Sequence, residues 1–325
     1  LFFITADVTS YHSPRFGVNR AAARFLAFAW KACYFLAERK VPVQQPISWY
    51  PGHMAKAKRL LTDQLKRIDA VIEICDARLP LSSRNPELDS LVRGKPRVLL
   101  LNKMDLARPE ATQAWLQHFE AQGQSCLAIE MGKRRQGILK AVVALTEASL
   151  ARSLRKGITR PARAMVLGVP NVGKSTLINY LAGRSAFKVQ DRPGVTRAPQ
   201  WINASPSLQL LDTPGLLWPK LDDPVAARRL SYIAAVRDEV VDVYHLALAL
   251  LDELMVIAPQ GVLERYKLQD EALRGQALLE AICKNRGFLL RGGQMDLERG
   301  ATCVLDEFRA GLLGRITLEM PHDQG

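Results

Sequence analysis

Residues Gly168-Val169-Pro170-Asn171-Val172-Gly173-Lys174-Ser175 fit the pattern Gly-x-x-x-x-Gly-Lys-Ser in full and follow an apolar run at 164–167. That pattern does phosphate chemistry. Its glycines let the backbone turn tightly, so that several N–H groups converge on one phosphate. Lys174 then reaches the outer phosphates and the Ser175 hydroxyl ligates Mg²⁺. A helix starting near Lys174, with apolar Leu177, Ile178 and Leu181, turns its positive end toward the same anion.

A second constellation, Asn102-Lys103-Met104-Asp105, follows the apolar run 97–101. A carboxylate at 105 accepts from the guanine ring N–H and exocyclic amine together. Adenine offers no such pair, so this residue selects GTP over ATP. Alone, the tetrapeptide reads equally well as a surface turn; beside a complete phosphate loop it is a strong signal. Asp212-Thr213-Pro214-Gly215 supplies an acid that holds Mg²⁺, usually through water, and a glycine N–H for the terminal phosphate. Thr196 is the candidate second hydroxyl on Mg²⁺, with a plain turn at Pro193-Gly194 as the alternative. The GTP-binding set is therefore Asn102, Lys103, Asp105, Asn171, Val172, Gly173, Lys174, Ser175, Thr176, Thr196 and Gly215, with Mg²⁺ held by Ser175, Thr196 and Asp212.

The elements that must carry these residues alternate. Apolar runs at 70–75 and 97–101 read as buried parallel strands, as does the run before the phosphate loop. Helical stretches at 110–122 and 138–154, with strands at 125–129 and 208–211, complete the pattern of a doubly wound, mostly parallel α/β sheet. Leu61, Leu65 and Ile68 recur with Met54 at helical spacing among lysines, which gives an amphipathic helix before the first strand. From Pro224 the pattern is helical to the end, with helices expected at 224–236, 238–256, 275–285 and 295–312. The chain thus divides into 1–46, an extension, 47–221, the nucleotide-binding domain, and 222–325, an all-helical domain.

At 325 residues the chain is long enough for two domains. Its five cysteines show no paired short spacing, which argues against a disulfide framework or a zinc cage and for a reducing, cytosol-like compartment. No apolar run reaches the roughly 18 residues of a membrane span, so no membrane partner is expected. The net charge of +13 is uneven: residues 1–221 carry 33 Lys and Arg against 15 Asp and Glu, while 222–321 carry 12 against 16. Nine basic residues and one acid, Glu147, lie between Lys133 and Arg163. Such a run fits a polyanion partner or a solvated helix face. Residues 1–46 are rich in Arg and poor in acids, which suits a transit peptide, a translated upstream region or a loosely attached helix.

The order of the motifs carries a resemblance. Residues 102–105 precede 168–175, which precede Thr196 and Asp212, whereas ordinary GTPases place the phosphate loop first. The chain resembles the circularly permuted GTPases of ribosome assembly, the YlqF-like group. The likeness runs from Trp49 to about Glu319 through Trp-Tyr-Pro-Gly-His-Met, Asp76-Ala77-Arg78, Arg84-Asn85-Pro86, Asp306-Glu307-Phe308-Arg309 and Gly314-Arg315-Ile316-Thr317. It implies a circularly permuted P-loop GTPase that binds the maturing large ribosomal subunit and its rRNA in the GTP state and leaves after hydrolysis. It further implies a helical domain that binds rRNA, through local patches such as Lys284, Arg286 and Arg291, and a monomer acting in the cytoplasm, or in mitochondria if 1–46 is a transit peptide. A GTP-binding RNA scaffold with little turnover is the alternative. Leu216 and Leu217 stand where Ras-like enzymes place a water-orienting glutamine. The resemblance points to His53 as the replacement, catalytic with Lys174; read from the residues alone, His53 only begins a helix. Asn171 matches the asparagine that helps hold K⁺ in potassium-activated GTPases. The fifth guanine-contacting segment falls near Glu130-Met131-Gly132-Lys133, which departs from the usual Ser-Ala-Lys.

Overall fold

Seven consecutive residues with no exposed side chain, Ala70–Asp76, form the first strand, β1, at the centre of the sheet. The computed structural model describes residues 59, 61–133, 135–183, 200–213 and 223–321. Strand β2 (Arg97–Asn102) pairs with β1 in parallel and β3 (Ser125–Ala128) pairs with β2, while β4 (Ala162–Leu167) lies on β1's other side. Beyond β4 come β6 (Leu208–Asp212), parallel, and β5 (Gln200–Ser205), antiparallel at the edge. The order is β3-β2-β1-β4-β6-β5. Near-continuous apolar runs are what a sheet covered on both faces demands, and burying each Val, Leu or Ile contributes about 1.5–3 kcal/mol.

Both faces are covered. Helices α3 (Arg135–Arg155) and α4 (Lys174–Ala182) bring Ile138, Val142, Leu177 and Leu181 onto Ile72, Ile74, Val98 and Val166. On the opposite face Leu61, Leu65 and Ile68 pack with Leu88, within the short α1 (Glu87–Leu91), and Val92, just after it, on Val71, Met165 and Leu211. Helix α2 (Pro109–Ala121) sets Trp115 and Phe119 on Cys75, Leu99 and Leu101. This is the expected doubly wound sheet, with the amphipathic stretch at 61–68 buried as its spacing predicts.

The helical region comprises α5 (Pro224–Tyr232), α6 (Val243–Ile257), α7 (Pro259–Tyr266), α8 (Gly275–Arg286) and α9 (Leu297–Arg309). Asp223, Asp242 and Asp296 cap the starts of α5, α6 and α9 by accepting from Val225 N, His245 N and Arg299 N. Its core is continuous with the core under α3 and α4. Four details depart from what the sequence predicts. The stretch at 238–256 is a short 3₁₀ turn, Asp238–Val240, followed by α6, and α7 and β5 were not anticipated. Helix also stops at Arg309, and the tail returns to the sheet: Ile316 N donates to Leu106 O and Leu318 N to Arg78 O, each at 2.9 Å. Among the described residues no single helix is long and apolar enough to cross a membrane.

The basic run is divided in its use. Arg135 donates to Tyr180 O and Leu181 O, Arg160 pairs with Asp69 at 2.7 Å, and Arg163 donates to Gln209 and lies over the Trp201 ring. Lys133, Lys140, Arg152, Arg155 and Lys156 face solvent. Of the three cations expected to face RNA from the helical region, Arg286 is engaged by Glu307 at 2.6 Å, while Lys284 and Arg291 are exposed.

Candidate functional site

Strands β1 and β2 end together, with Asp76 in register beside Asn102, while β4 ends opposite Glu73 and hands the chain to the loop that follows Leu167. That register puts the phosphate loop next to the Asn102–Asp105 turn, at the carboxyl ends where open α/β sheets bind ligands. Two glycines make the loop possible. Gly168 passes so close to Ile74 O that a Cβ would meet it, and Gly173 takes φ +98° at the N-cap of α4.

The loop and the turn are bonded to each other. Asn102 Nδ2 donates to Val172 O at 2.7 Å, and Lys103 Nζ donates to Asn171 O at 3.0 Å. Asn171 and Lys103 are non-glycine residues in the left-handed region, with φ +60° and +61°. Asp105 is exposed at the rim. The segment at 130–133 is drawn alongside because Met104 N donates to Ile129 O at 3.2 Å.

Lys174 is 7% exposed and donates to Val169 O at 2.8 Å. Burial pulls its ammonium down to about 8, against the opposing pull of the Asp212 carboxylate. Ser175 Oγ donates to Asp212 Oδ2 at 3.2 Å, so a hydroxyl and a buried carboxylate converge beside this lysine. Two hard oxygen donors with an adjacent anion cradle fit Mg²⁺. Thr176 is half-buried on the first turn of α4. Thus Asn102, Lys103, Asn171, Val172, Gly173, Lys174, Ser175 and Asp212 come together, while His53, Thr196 and Gly215 lie outside the described residues.

Other residues at the site carry no nucleotide motif. Asp76, fully buried, accepts from the Arg78 guanidinium with both oxygens and pairs with Lys103 Nζ at 3.2 Å. Burial would raise its carboxyl, but Arg78 and Lys103 outweigh it and hold the group well below the carboxylate range. Asn171 Nδ2 donates at 2.7 Å to the carbonyl of Ala234, in the helical region. A cavity of about 1050 Å³ lies between these parts, bounded by Arg78, Lys103, Asn171, Ala234, Asp238 and Arg309. The available signal for Asp76 was an acid closing an apolar strand adjacent to the strand before Asn102.

Comparison with known proteins agrees with this arrangement. The profile of a family described as 50S ribosome-binding GTPase matches residues 163–281. Ribosome biogenesis GTPase A of Bacillus cereus is 43% identical over 282 residues, covering 86% of this chain and 95% of that protein. Mitochondrial ribosome-associated GTPase 1 of Mus musculus is 33% identical over 311 residues, covering 90% and 94%. The solved structure of GNP-bound YlqF from T. maritima superposes with a TM-score of 0.59 at 27% identity, covering 82% of this chain and 99% of that one. Motif order, sheet order and coverage over nearly the whole length of these relatives lead to one conclusion: the chain belongs to the ribosome biogenesis GTPase A family, circularly permuted P-loop enzymes that hydrolyse GTP.

Proposed function

We propose that the protein binds an assembling large ribosomal subunit in its GTP state and leaves after hydrolysis. The observation that carries this reading is the bond from Asn171, inside the phosphate loop, to Ala234 in the helical region. A change at the phosphates has a direct route to a surface outside the sheet, the kind of coupling by which GTPases switch partners. Relatives named for ribosome biogenesis and for mitochondrial ribosome association support the partner. Exposed Lys140, Arg152, Arg155 and Lys156 offer charge for an RNA backbone, whose binding weakens steeply with salt.

In this reading Asn102 braces the loop, Asp105 reads guanine, and Lys174 neutralises the outer phosphates, with Val172, Gly173 and Thr176 lining the phosphate path. Ser175 and Asp212, with Thr196, hold Mg²⁺, which neutralises phosphate charge when bound. Asn171 contributes to a K⁺ site, Gly215 N–H meets the terminal phosphate, and His53 orients the attacking water once the target brings it into place. The protein acts as a monomer. Its site of action is cytoplasmic for a bacterial chain and mitochondrial if residues 1–46 are a transit peptide.

The test is sedimentation with separated large and small subunits in GTP analogue or GDP, together with hydrolysis rates. Large subunits should bind in the GTP-analogue state and stimulate hydrolysis, and Lys174→Ala should abolish both. Equal binding in both nucleotide states without stimulation would leave a GTP-binding RNA scaffold as the better account.

A further inference from the structure

Arg78 is a guanidinium with 1% exposure at the end of β1, and its two faces are spent in opposite directions. Toward the nucleotide loops, Nε and Nη2 each donate to Asp76 at 2.9 Å, and Asp76 in turn pairs with Lys103. Toward the helical region, Nη1 donates to Phe308 O at 3.0 Å and Arg309 O at 3.4 Å, and the guanidinium lies 5.0 Å from the Phe308 ring centre. The last carbonyls of a helix lack partners within it and favour a cation, so Arg78 caps α9. A second arm leaves the same helix end. Arg309 donates to Ser231 O at 3.1 Å and Tyr232 O at 3.0 Å and pairs with Asp238 at 2.7 Å. Two residues past Tyr232, Ala234 receives the Asn171 amide from a left-handed conformation, φ +55°.

We propose that Arg78 is a positioning residue of the nucleotide site: through Asp76 it holds the Lys103 ammonium against the Asn171 carbonyl, and it does so only while α9's C-terminal end holds Arg78. The helical region is then a third wall of the GTP site. This rests on the reading of Lys103 and Asn171 as nucleotide contacts. The physical reason is the Asp76 charge. A buried carboxylate that loses its forked partner is strongly destabilised unless another cation moves in. Lys103, which already pairs with Asp76 at 3.2 Å while donating to Asn171 O at 3.0 Å, is the cation in reach, and closing further on Asp76 takes it away from Asn171 O. Lysine at 78 keeps the charge but cannot fork two carboxylate oxygens and two carbonyls at once.

The experiment uses the full chain with Arg78→Lys, Phe308→Leu, the double variant, and Asp105→Asn as a control for the site itself. GDP affinity, KM, kcat and melting temperature are measured for each. Arg78→Lys should weaken GDP about tenfold and raise KM in step while kcat stays within about twofold, because binding and not the chemical step is disturbed. Phe308→Leu, which lies on the far side of Arg78, should weaken GDP about threefold, and the double variant should be no weaker than about twofold below Arg78→Lys, the non-additivity expected of one chain of contacts. A lowered melting temperature with GDP affinity and KM unchanged in both single variants, or strictly additive losses in the double, would overturn the proposal and make Arg78 a fastening between regions. Unchanged GTP and GDP affinity in Asp105→Asn would instead overturn the site reading on which it rests.

Discussion

Gly173→Ala should separate the cost of backbone strain from the cost of disturbing the neighbouring Asn102–Asp105 turn. Gly173 has φ +98°, and a Cβ placed there stands 2.5 Å from Asn102 Nδ2. The left-handed conformation costs an alanine about 1–2 kcal/mol. Displacing the Asn102 amide from Val172 O costs about another 1–3 kcal/mol, since Asn102 is buried and its donor is left without a carbonyl. If the whole of about 2–5 kcal/mol falls on the binding-competent loop, GDP affinity drops about 30- to 5000-fold. If it falls on folding, the melting temperature drops by about 4–20 °C. Gly183→Ala, at the other end of α4, is the control: φ is +68°, and the nearest atom is the Arg135 Nη2 end at 3.4 Å. It carries the strain without the clash. Titration with GDP and melting with and without saturating GDP measure both variants. Equal losses in the two, with GDP affinity unchanged, would refute the link between Gly173 and Asn102.

Asp105→Asn should weaken GTP binding strongly and favour xanthosine triphosphate, whose C2 carbonyl accepts from the new amide; unchanged GTP affinity counts against Asp105 as the base reader. His53→Ala should leave nucleotide binding intact and lower subunit-stimulated turnover by about 10²-fold, the scale of a positioned acid–base group; normal turnover makes His53 structural. Replacing K⁺ by Na⁺ should slow hydrolysis in the parent and make no difference in Asn171→Ser, as read by phosphate release; equal parent rates in both salts remove potassium from the account. Asp69 is a reporter of acid stability. Burial would raise its carboxyl, but the Arg160 and Ser149 hydrogen bonds bring it down to about 2. A depressed carboxyl contributes stability that is present above the unfolded value of about 3.9 and lost as pH falls through about 2. Asp69→Asn should therefore flatten melting temperature against pH across that window, and an unchanged acid profile would discount the Asp69 cluster.

Much of the fold was legible because β1, β2, β4 and β6 are short apolar runs that have no other reading beside a phosphate loop. Strand β5 was not, since Gln200, Trp201 and Asn203 are exposed and the strand sits at the sheet edge, where one covered face leaves only Ile202 and Ala204 buried. Helix α7 hid behind Ala258-Pro259, which reads as a turn but is the N-terminal proline of a new helix. In the site, Asn102, Lys103 and 168–175 were readable because their chemistry is local to a motif. Asp76 carried the local signal of an acid closing an apolar strand, and Arg78 was visible only as part of a resemblance. What they do depends on Phe308, 230 residues away from Arg78, and no spacing rule reaches that far.

The tail at 316–319 has a consequence for the order in which the molecule can be completed. Glu319 accepts from Leu81 N and Ser82 N across separations of 238 and 237 residues, Trp115 Nε1 donates to its carbonyl, and Thr317 Oγ1 accepts from Arg108 N. Every one of these partners lies in the turn after β1 or at the start of or within α2, and is translated long before its mate. A chain emerging from a ribosome therefore exposes these N–H groups unanswered through the synthesis of some two hundred later residues, and such long-range closure is slow. Translation arrested at about residue 310 should leave the sheet formed but nicked by protease around residues 79–84, and extension past Glu319 should protect it.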